Sequence, residues 1–296
     1  MGLVAFIDYL RLEKNYSEHT ILAYERDIEE FSAFAKANYE QDDLFTIHYS
    51  QIRSWIVELV ESGISNRTIN RKIASLKAYY KFLLKVDAIK VSPLVKHKAL
   101  KTPVKVQVPF SQREVEDVIA NLKAEDNFES LRNLLVVELL YSTGMRRAEL
   151  IGLTLSSVDY GQGIVKVLGK RNKERNIPLL PKVQKTLNRY LVIRNTIAST
   201  VQDAPLIITE KGIKVYDVLV YRIINHYFSK ASNKLKVSPH IVRHSFATHL
   251  LNEGADLNIV KELLGHASLA STQVYTHNSI AALKDVYSNA HPRNKK

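Results

Sequence analysis

The chain has 296 residues, 46% of them hydrophobic, which is enough for two domains with buried cores. Lysine and arginine exceed aspartate and glutamate by 42 to 30, and this net charge of +12 predicts a polyanionic partner. There is no cysteine, which excludes disulfides, thiolate-bound zinc and a thiol nucleophile. Charged residues interrupt the N-terminal segment and every long apolar run, so neither a signal peptide nor a membrane span is predicted. We expect a cytoplasmic protein.

Residues 1–86 are predicted to form a bundle of four helices. Apolar residues recur at helical spacing in four successive segments. The candidate N-caps of the last three segments are Ser17, Ser50 and either Ser65 or Asn66. We therefore predict a small helical domain over this range.

The fourth of these helices carries a strongly basic face. No acidic residue occurs between positions 67 and 85, whereas a solvated surface helix normally mixes both charges. At about 100° per residue the cations fall on one side, opposite the apolar stripe. We predict that this face binds DNA phosphates. The predicted contacts are Arg67, Arg71, Lys77, Lys81 and Lys85.

Residues 87–109 are predicted to link two domains. Prolines and spread lysines over this range indicate an extended, exposed connector. Because the segment is basic, it could also lie along a duplex, with Lys101 among its DNA contacts.

Residues 110–296 are predicted to form a mainly helical domain with a small antiparallel sheet. Ser111 and Glu114 have the spacing of a capping box, and a long apolar helix ends at Gly144. Two short strands, 163–168 and 175–179, flank a polar turn. Three helices follow at about 181–198, 215–232 and 238–253.

Side chains that can act on a phosphate are concentrated near the C-terminus. His240 and Arg243 are one helical turn apart and share a face. His266 follows the predicted helix stop at Gly265, and Tyr275 lies beyond a short polar segment. Each residue alone has a structural explanation, but together they offer a nucleophile, a proton acceptor and anion binders.

Two further cations belong to candidate sites earlier in the domain. Arg146 stands near a helix N-terminus, where the helix dipole disfavours a cation, and this position suits an anion-binding arginine. Lys170 lies at the tip of the polar turn, where a lysine is most often only solvated. His240 and His244 have the spacing of a metal pair, but no glutamate follows the first histidine, so no metal site is predicted.

Taken in order, these motifs resemble the active-site series of the tyrosine recombinases, the phage integrase family. The series is Gly144-Met145-Arg146 with Glu149-Leu150, Gly169-Lys170, His240-Ile241-Val242-Arg243-His244, Leu264-Gly265-His266 and Tyr275. The resemblance covers nearly the whole chain. The length of the chain is similar to that of the Xer recombinases, which resolve chromosome dimers. The turn reads Gly-Lys-Arg where many relatives have Gly-Lys-Gly, so Arg171 is a further candidate DNA contact.

The resemblance implies a C-shaped, two-domain DNA clamp and a reaction mechanism. The helical N-terminal bundle would be SAM-like, followed by a catalytic domain. Tyr275 would attack the scissile phosphodiester to form a 3′-phosphotyrosyl link, with His240 as the proton acceptor and Lys170 as the acid for the leaving oxygen. The ligands of the non-bridging oxygens would be Arg146, Arg243 and His266.

The resemblance also implies cofactors and partners. No metal or nucleotide would be needed, because the phosphotyrosyl bond conserves the energy of the broken link. The partners would be a double-stranded recombination site and three further protomers, copies or paralogues, which exchange C-terminal helices. Packing of that helix on its own domain is the alternative. Glu149 would brace Arg146, while His244 and His249 are interpreted as structural.

Three other interpretations remain open. An integrase or transposase of a mobile element would share every motif. A type IB topoisomerase uses a similar residue set but relaxes supercoils as a monomer. A non-catalytic DNA-binding protein would explain the basic helix and linker, but it leaves Tyr275 and His240 without a role.

Overall fold

The computed structural model describes residues 2–103, 107–123, 127–169, 173–232, 237–265, 287 and 290–294. The chain divides into two compact units, Met1–Lys105 and Val106–Lys296. Within the described residues, helices dominate both units and one three-stranded sheet lies in the second. The predicted fold class, mainly helical with a small antiparallel sheet, is confirmed.

The first unit is a helical bundle, as predicted. Its core is built from the apolar faces of its helices around Phe31, Trp55 and Leu76. Ser17 and Ser65 stand at the predicted N-cap positions of the second and fourth helices. The helices are α1 (Gly2–Asp8), which continues as a π-helical turn (Tyr9–Glu13), α2 (Glu18–Tyr39), α3 (Tyr49–Glu61) and α4 (Asn66–Lys85).

The predicted N-cap of α3 is wrong by two residues. The helix begins at Tyr49 with His48 as its N-cap, so Ser50 lies within the first turn. The backbone N–H of His48 donates to the Gln51 side chain over 2.8 Å. That glutamine satisfies a terminal N–H and fixes the start of the helix, which the serine was expected to do.

The segment 89–101 packs on α4 and is not the exposed connector that the sequence predicts. Leu94 is only 3% exposed and belongs to the core of the first unit. The Asn70 side chain donates to the Leu100 carbonyl over 2.8 Å and accepts the Leu100 N–H over 2.9 Å. The apolar side chains and this paired amide attach the segment to the helix. We call residues 89–101 the strap.

Two helices open the second unit, α5 (Gln112–Lys123) and α6 (Phe128–Thr143). The predicted capping box at the start of α5 is confirmed. The Ser111 N–H donates to the Glu114 carboxylate over 2.6 Å, and the Glu114 N–H donates to the Ser111 hydroxyl over 3.2 Å. Helix α6 is buried along nearly its whole length, so it forms the centre of the unit.

A short helix and the sheet follow α6. They are α7 (Arg147–Gly152), a 3₁₀ turn (Leu155–Ser157), and strands β1 (Val158–Asp159), β2 (Ile164–Leu168) and β3 (Glu174–Pro178), antiparallel in the order β1-β2-β3. The two predicted strands are β2 and β3, in a register that pairs Val165 with Ile177. Strand β1 has only two residues, which is too short to give a periodic signal in the sequence.

Four further helices complete the described part of the second unit: α8 (Pro181–Ile197), α9 (Asp217–Ala231), α10 (Pro239–Asn252) and α11 (Leu257–Leu264). Gly144 ends α6 with φ +60°, and a Cβ atom there would lie 2.3 Å from the Phe246 ring and 2.9 Å from Leu264. Only glycine allows this approach. The C-terminal ends of α6 and α11 therefore meet beside α10, where the candidate site lies.

The C-terminal residues that the structure describes pack on their own unit. The Tyr287 hydroxyl donates to the Ser142 carbonyl over 2.6 Å, and Arg293 Nη2 donates to Glu138 Oε1 over 2.7 Å. Both pairs are buried against α6. These residues therefore pack on their own domain, which is the alternative to exchange of the C-terminal helix with a neighbouring protomer. The polar segment before Tyr275 and most of the C-terminal segment after it lie outside the described residues.

Candidate active site

Arg146 stands at the N-cap of α7, directly after the turn that ends α6. Its backbone N–H donates to Glu149 Oε2 and its Nη1 to Glu149 Oε1, each over 2.7 Å. Its Nη2 lies 3.5 Å from the Gly265 carbonyl oxygen. The carboxylate thus offsets the unfavourable helix dipole and holds the guanidinium in one orientation, while about a third of the side chain (34%) stays exposed.

Arg243 projects from α10 into the junction of two helix ends. Its Nη1 donates to the Gly144 carbonyl over 2.6 Å and its Nη2 donates to the Leu264 carbonyl over 2.7 Å. Burial, together with the charge of Arg146, lowers the pKa of Arg243 to about 10, so this guanidinium is still protonated at neutral pH. The contacts fix the plane of the guanidinium and place it beside Arg146.

A third arginine, which the sequence interpretation missed, completes the cluster. Arg175 of β3 donates to both Glu149 oxygens, from Nη2 over 2.7 Å and from Nη1 over 3.0 Å. Burial raises the pKa of Glu149, but the hydrogen bonds from Arg175 and Arg146 outweigh that effect and hold this pKa below its usual value. The alternation of β3 could have indicated this residue, because Arg175 lies on the same face as the buried Ile177.

The charges of this cluster do not balance. Three guanidiniums, those of Arg146, Arg175 and Arg243, surround the carboxylate of Glu149, which is the one acid in contact with them among the described residues. Two positive charges therefore lack a counter-charge in a partly buried place. Such a site favours an anion with several oxygen acceptors, such as a phosphodiester.

The histidines of α10 differ in their surroundings. His240 is exposed and lies one turn before Arg243, on the same face of the helix. His249 is buried and its Nδ1 lies 2.8 Å from the Tyr141 hydroxyl, as expected of a structural residue. His244 is exposed, so it has no place in the core.

Four of the predicted site residues lie outside the described part of the chain: Lys170, Arg171, His266 and Tyr275. Their roles stay predictions. Gly169 and Gly265, which come directly before Lys170 and His266 in the sequence, are described. A Cβ atom on either glycine would approach the Arg175 guanidinium within 3.3 Å, so both segments reach the arginine cluster.

The predicted DNA-binding face of α4 is less free than its sequence indicates. Arg71 is paired with Asp27 of α2, and Lys85 with Glu13 over 2.6 Å. Lys77 lies 3.5 Å from the carbonyl oxygen of His97 in the strap. Acids that are distant in the sequence therefore neutralise part of the face.

The remaining predicted cations of the first unit point to solvent. Arg67 and Lys81 are exposed, and neither forms an ion pair with another described residue. The Lys101 carbonyl accepts a hydrogen bond from the Asn66 side chain over 2.8 Å, which places this exposed lysine at the start of α4. Lys98 of the strap is exposed as well. We call Arg67, Lys81, Lys98 and Lys101 the α4–strap surface.

Neither a metal site nor a membrane span is found within the described residues. No group of three or more histidines, cysteines and acids is arranged to hold a metal ion there. None of the helices in that part of the chain combines the length and the hydropathy required to cross a bilayer.

Comparison with known families gives two matches. The model described as the phage integrase family matches residues 108–281, and the model described as the phage integrase N-terminal SAM-like domain matches residues 3–86. The tyrosine recombinase XerC of Thermodesulfovibrio yellowstonii is 37% identical over 297 residues, covering 98% of this chain and 96% of that protein. The XerC of Anoxybacillus flavithermus is 39% identical over 291 residues, covering 97% and 96%.

Solved structures of recombinases share the fold. The XerH site-specific recombinase bound to its difH substrate aligns with a TM-score of 0.68 and 18% identity, covering 95% of this chain and 94% of that one. The Tn1549 transposon integrase in complex with circular intermediate DNA aligns with a TM-score of 0.70 and 21% identity, covering 95% and 98%. At these identities the likeness concerns the fold alone.

Proposed function

The chain belongs to the phage integrase family, the tyrosine recombinases, and from this premise we propose that it is a Xer-type enzyme that resolves chromosome dimers. As a family member it is a site-specific recombinase, which binds DNA and breaks and rejoins its strands. The chromosomal role is supported by identities of 37% and 39% to proteins named XerC, over nearly their full length.

The observation that carries the proposed chemistry is the uncompensated charge of the arginine cluster. Arg146 and Arg243 are fixed by hydrogen bonds to Glu149 and to the backbone carbonyls of Gly144 and Leu264. Their orientation is therefore set before DNA arrives. We assign both to the non-bridging oxygens of the scissile phosphate, where they stabilise the charge that develops during attack.

The bond changes require a nucleophile, a base and an acid. Tyr275 Oη attacks phosphorus and forms the 3′-phosphotyrosyl bond, while its proton passes to His240. A phenol with a pKa of about 10 needs such an acceptor at neutral pH. The phosphorus–O5′ bond breaks, and the O5′ takes a proton from Lys170. His266 donates a further hydrogen bond to the phosphate.

We assign duplex binding in the first unit to the α4–strap surface. When its exposed lysines and arginine neutralise phosphates, the counterions condensed on the DNA are released. Arg71, Lys77 and Lys85 contribute less than the sequence predicts, because each is already engaged inside the unit. In the sequence Arg171 lies between strands β2 and β3, and we assign it as a further DNA contact in the second unit.

The active assembly proposed for the reaction has four protomers on two duplexes, copies or paralogues, linked by exchange of C-terminal segments. Within one chain, Tyr287 and Arg293 each form a hydrogen bond to a residue of α6 in the same unit. Exchange of this part of the tail therefore requires these contacts to open or to re-form with the neighbour.

Trapping with a nicked suicide duplex that carries a candidate chromosomal site tests the proposal. We expect the parent protein and Tyr160→Phe, which changes a half-exposed tyrosine of the same unit, to form a covalent adduct. Tyr275→Phe should form none while binding the duplex with an affinity within about twofold of the parent. Equal adduct formation by Tyr275→Phe would refute the assignment.

A plasmid with two directly repeated copies of the same site separates a site-specific recombinase from a type IB topoisomerase. A Xer-type recombinase gives two smaller circles. A type IB topoisomerase gives relaxed circles of the original size. Relaxation without smaller circles would overturn the proposed role.

A further inference from the structure

Arg175 occupies the junction of three chain segments in the second unit. From β3 its Nε donates to the Leu263 carbonyl of α11 over 2.9 Å, and its two terminal nitrogens bind both oxygens of Glu149 on α7. Its side chain is 11% exposed. One planar group therefore ties the hairpin, the end of α11 and the helix that carries Arg146 to each other.

Two glycines lie against this guanidinium. A Cβ atom on Gly169 would lie 3.3 Å from Arg175 Nη1, and a Cβ atom on Gly265 would lie 3.2 Å from its Nη1 and Cδ. Both distances are shorter than ordinary contacts, so each backbone reaches the arginine only because it has no side chain. In the sequence Gly169 directly precedes Lys170, and Gly265 directly precedes His266.

We propose that Arg175 is a positioning residue that sets the hairpin of Lys170 at a fixed distance from the end of α11 and from Arg146. This inference rests on the proposed function, since it takes Lys170 as the acid. Arginine is suited to the task because its rigid fork makes three directed hydrogen bonds at once, which a lysine ammonium cannot match at the same places.

The charge of Arg175 distinguishes this role from simple packing. The guanidinium adds a positive charge near Arg243, whose pKa it helps to lower after burial and Arg146. If Arg175 only filled space, an apolar side chain could take its place and would not repel the Arg243 guanidinium. Through Glu149 the same group is linked to Arg146, but Arg146 keeps its own two hydrogen bonds to that carboxylate when Arg175 is replaced.

Because Arg146 keeps its own bonds to Glu149, we expect the loss of Arg175 to affect mainly the acid step. The β2–β3 pairing and the bond of 2.8 Å from the Gly169 N–H to the Lys173 carbonyl do not involve the Arg175 side chain, so we expect the hairpin to keep both without it. The hairpin loses the hydrogen bonds that Arg175 makes to Glu149 of α7 and to the Leu263 carbonyl of α11. Lys170 is then no longer held where it can protonate O5′, whereas the nucleophile Tyr275 comes from a different segment of the chain.

A substrate with sulfur in place of the bridging O5′ isolates this step. Cleavage then breaks the phosphorus–sulfur bond, and the thiolate leaves without a proton because a thiol has a pKa of only about 8.5. A defect in delivering the proton disappears with this substrate. A defect in the fold, in DNA binding or in the attacking tyrosine remains.

The test compares single-turnover cleavage of the oxygen and sulfur substrates by the parent, Arg175→Lys and Lys170→Met. We expect Arg175→Lys to cleave the oxygen substrate at least tenfold more slowly than the parent and the sulfur substrate within about threefold of it. Lys170→Met should show the same rescue. The matched control is Arg194→Lys, a fully buried arginine of the same unit that donates to the Ser199 and Pro205 carbonyls. Its ratio of sulfur to oxygen rates should equal that of the parent.

A second variant guards against misfolding of Arg175→Lys. Gly169→Ala places a methyl group 3.3 Å from Arg175 Nη1 and 3.2 Å from the Lys173 carbonyl, which displaces the hairpin without removing the arginine. It should show the same sulfur rescue. Gly161→Ala in the β1–β2 turn is its control, because its methyl group meets only an ordinary contact at 3.4 Å.

The outcomes separate this inference from the proposed function. If the parent cleaves neither substrate, the proposed function fails and the inference fails with it. If the parent cleaves but Arg175→Lys and Gly169→Ala lose both activities equally, or lose neither, only the positioning role of Arg175 is overturned. Absence of rescue in Lys170→Met would refute the lysine as the acid and with it the route by which Arg175 acts.

Discussion

Arg71 of α4 and Asp27 of α2 form a bidentate ion pair in which the carboxylate is 2% exposed. Lys72 and the Ser75 hydroxyl also reach this carboxylate, so one buried acid connects the two helices. Arg71, which the sequence places on the DNA-binding face, therefore has a structural task in the first unit.

Substitution of Arg71, which is paired with Asp27, and of the exposed Lys81 should have different effects on stability and on DNA binding. We expect Arg71→Ala to lower the free energy of unfolding by about 1–2 kcal/mol, because a buried carboxylate loses its strongest donor while Lys72 and Ser75 remain. Lys81→Ala should leave stability unchanged and reduce the salt slope of DNA binding by about 1. Urea denaturation and binding titrations at several salt concentrations measure both. The same stability and the same salt slope for the two variants would contradict this division.

Arg243→Lys should impair cleavage far more than binding. A lysine ammonium cannot donate to the Gly144 and Leu264 carbonyls and to a phosphate in the same geometry. We expect a single-turnover cleavage rate at least 100-fold below that of the parent, the usual scale for a lost transition-state donor. Affinity for the duplex should stay within about threefold. Arg222→Lys on the exposed side of α9 is the control, and equal losses in both variants would remove Arg243 from the site.

Removing one partner of the Glu138–Arg293 ion pair should lower the free energy of unfolding more than replacing both partners. Both side chains are buried, at 0% and 6% exposure. Glu138→Gln leaves a buried guanidinium without its counter-charge, at a cost of about 3–5 kcal/mol in unfolding free energy. Glu138→Leu combined with Arg293→Met should recover most of this loss. Lys85→Met, which breaks an exposed pair with Glu13, should cost less than about 1 kcal/mol. Additive losses in the double variant would contradict the pairing.

Stability should decrease in mild acid because of His291. Burial, and then the charge of Arg293, lowers the pKa of this histidine from 6.5 to about 3. The unfolded chain therefore binds a proton before the folded chain does. The contribution is complete above pH 6.5 and falls by about 1.4 kcal/mol per pH unit below it, until the folded pKa is reached.

Urea denaturation at several pH values measures this slope. His291→Leu should flatten it by about the amount that one histidine contributes, whereas His19→Leu on the exposed surface of α2 should leave it unchanged. An unaltered slope in His291→Leu would show that the buried imidazole is not the source.

The sequence predicts most of the elements because their signals are local. The capping box of Ser111 and Glu114 spans one helical turn, and the glycine stop at Gly144 needs only its neighbours. The order of the active-site motifs is also readable, since each is a short run of residues. These signals were sufficient for the fold class, the family and two of the three clustered arginines.

What the sequence did not predict depends on contacts between distant segments. Asp27 and Arg71 are 44 positions apart, and no periodicity connects them. Arg175 acquires its partners only when β3 meets α7 and α11. The strap has the composition of a linker, and the Asn70 amide that binds it gives no signal until Leu100 lies beside it. Such pairings follow from the tertiary fold.

The most direct measurement is the identity of the residue that becomes bonded to DNA. The parent protein is trapped on a suicide duplex, digested with a protease, and the nucleotide-bearing peptide is sequenced by mass spectrometry. We expect a single modified tyrosine, Tyr275, joined to a 3′-phosphate. A modified peptide from any other part of the chain, or a 5′-phosphate link, would contradict it.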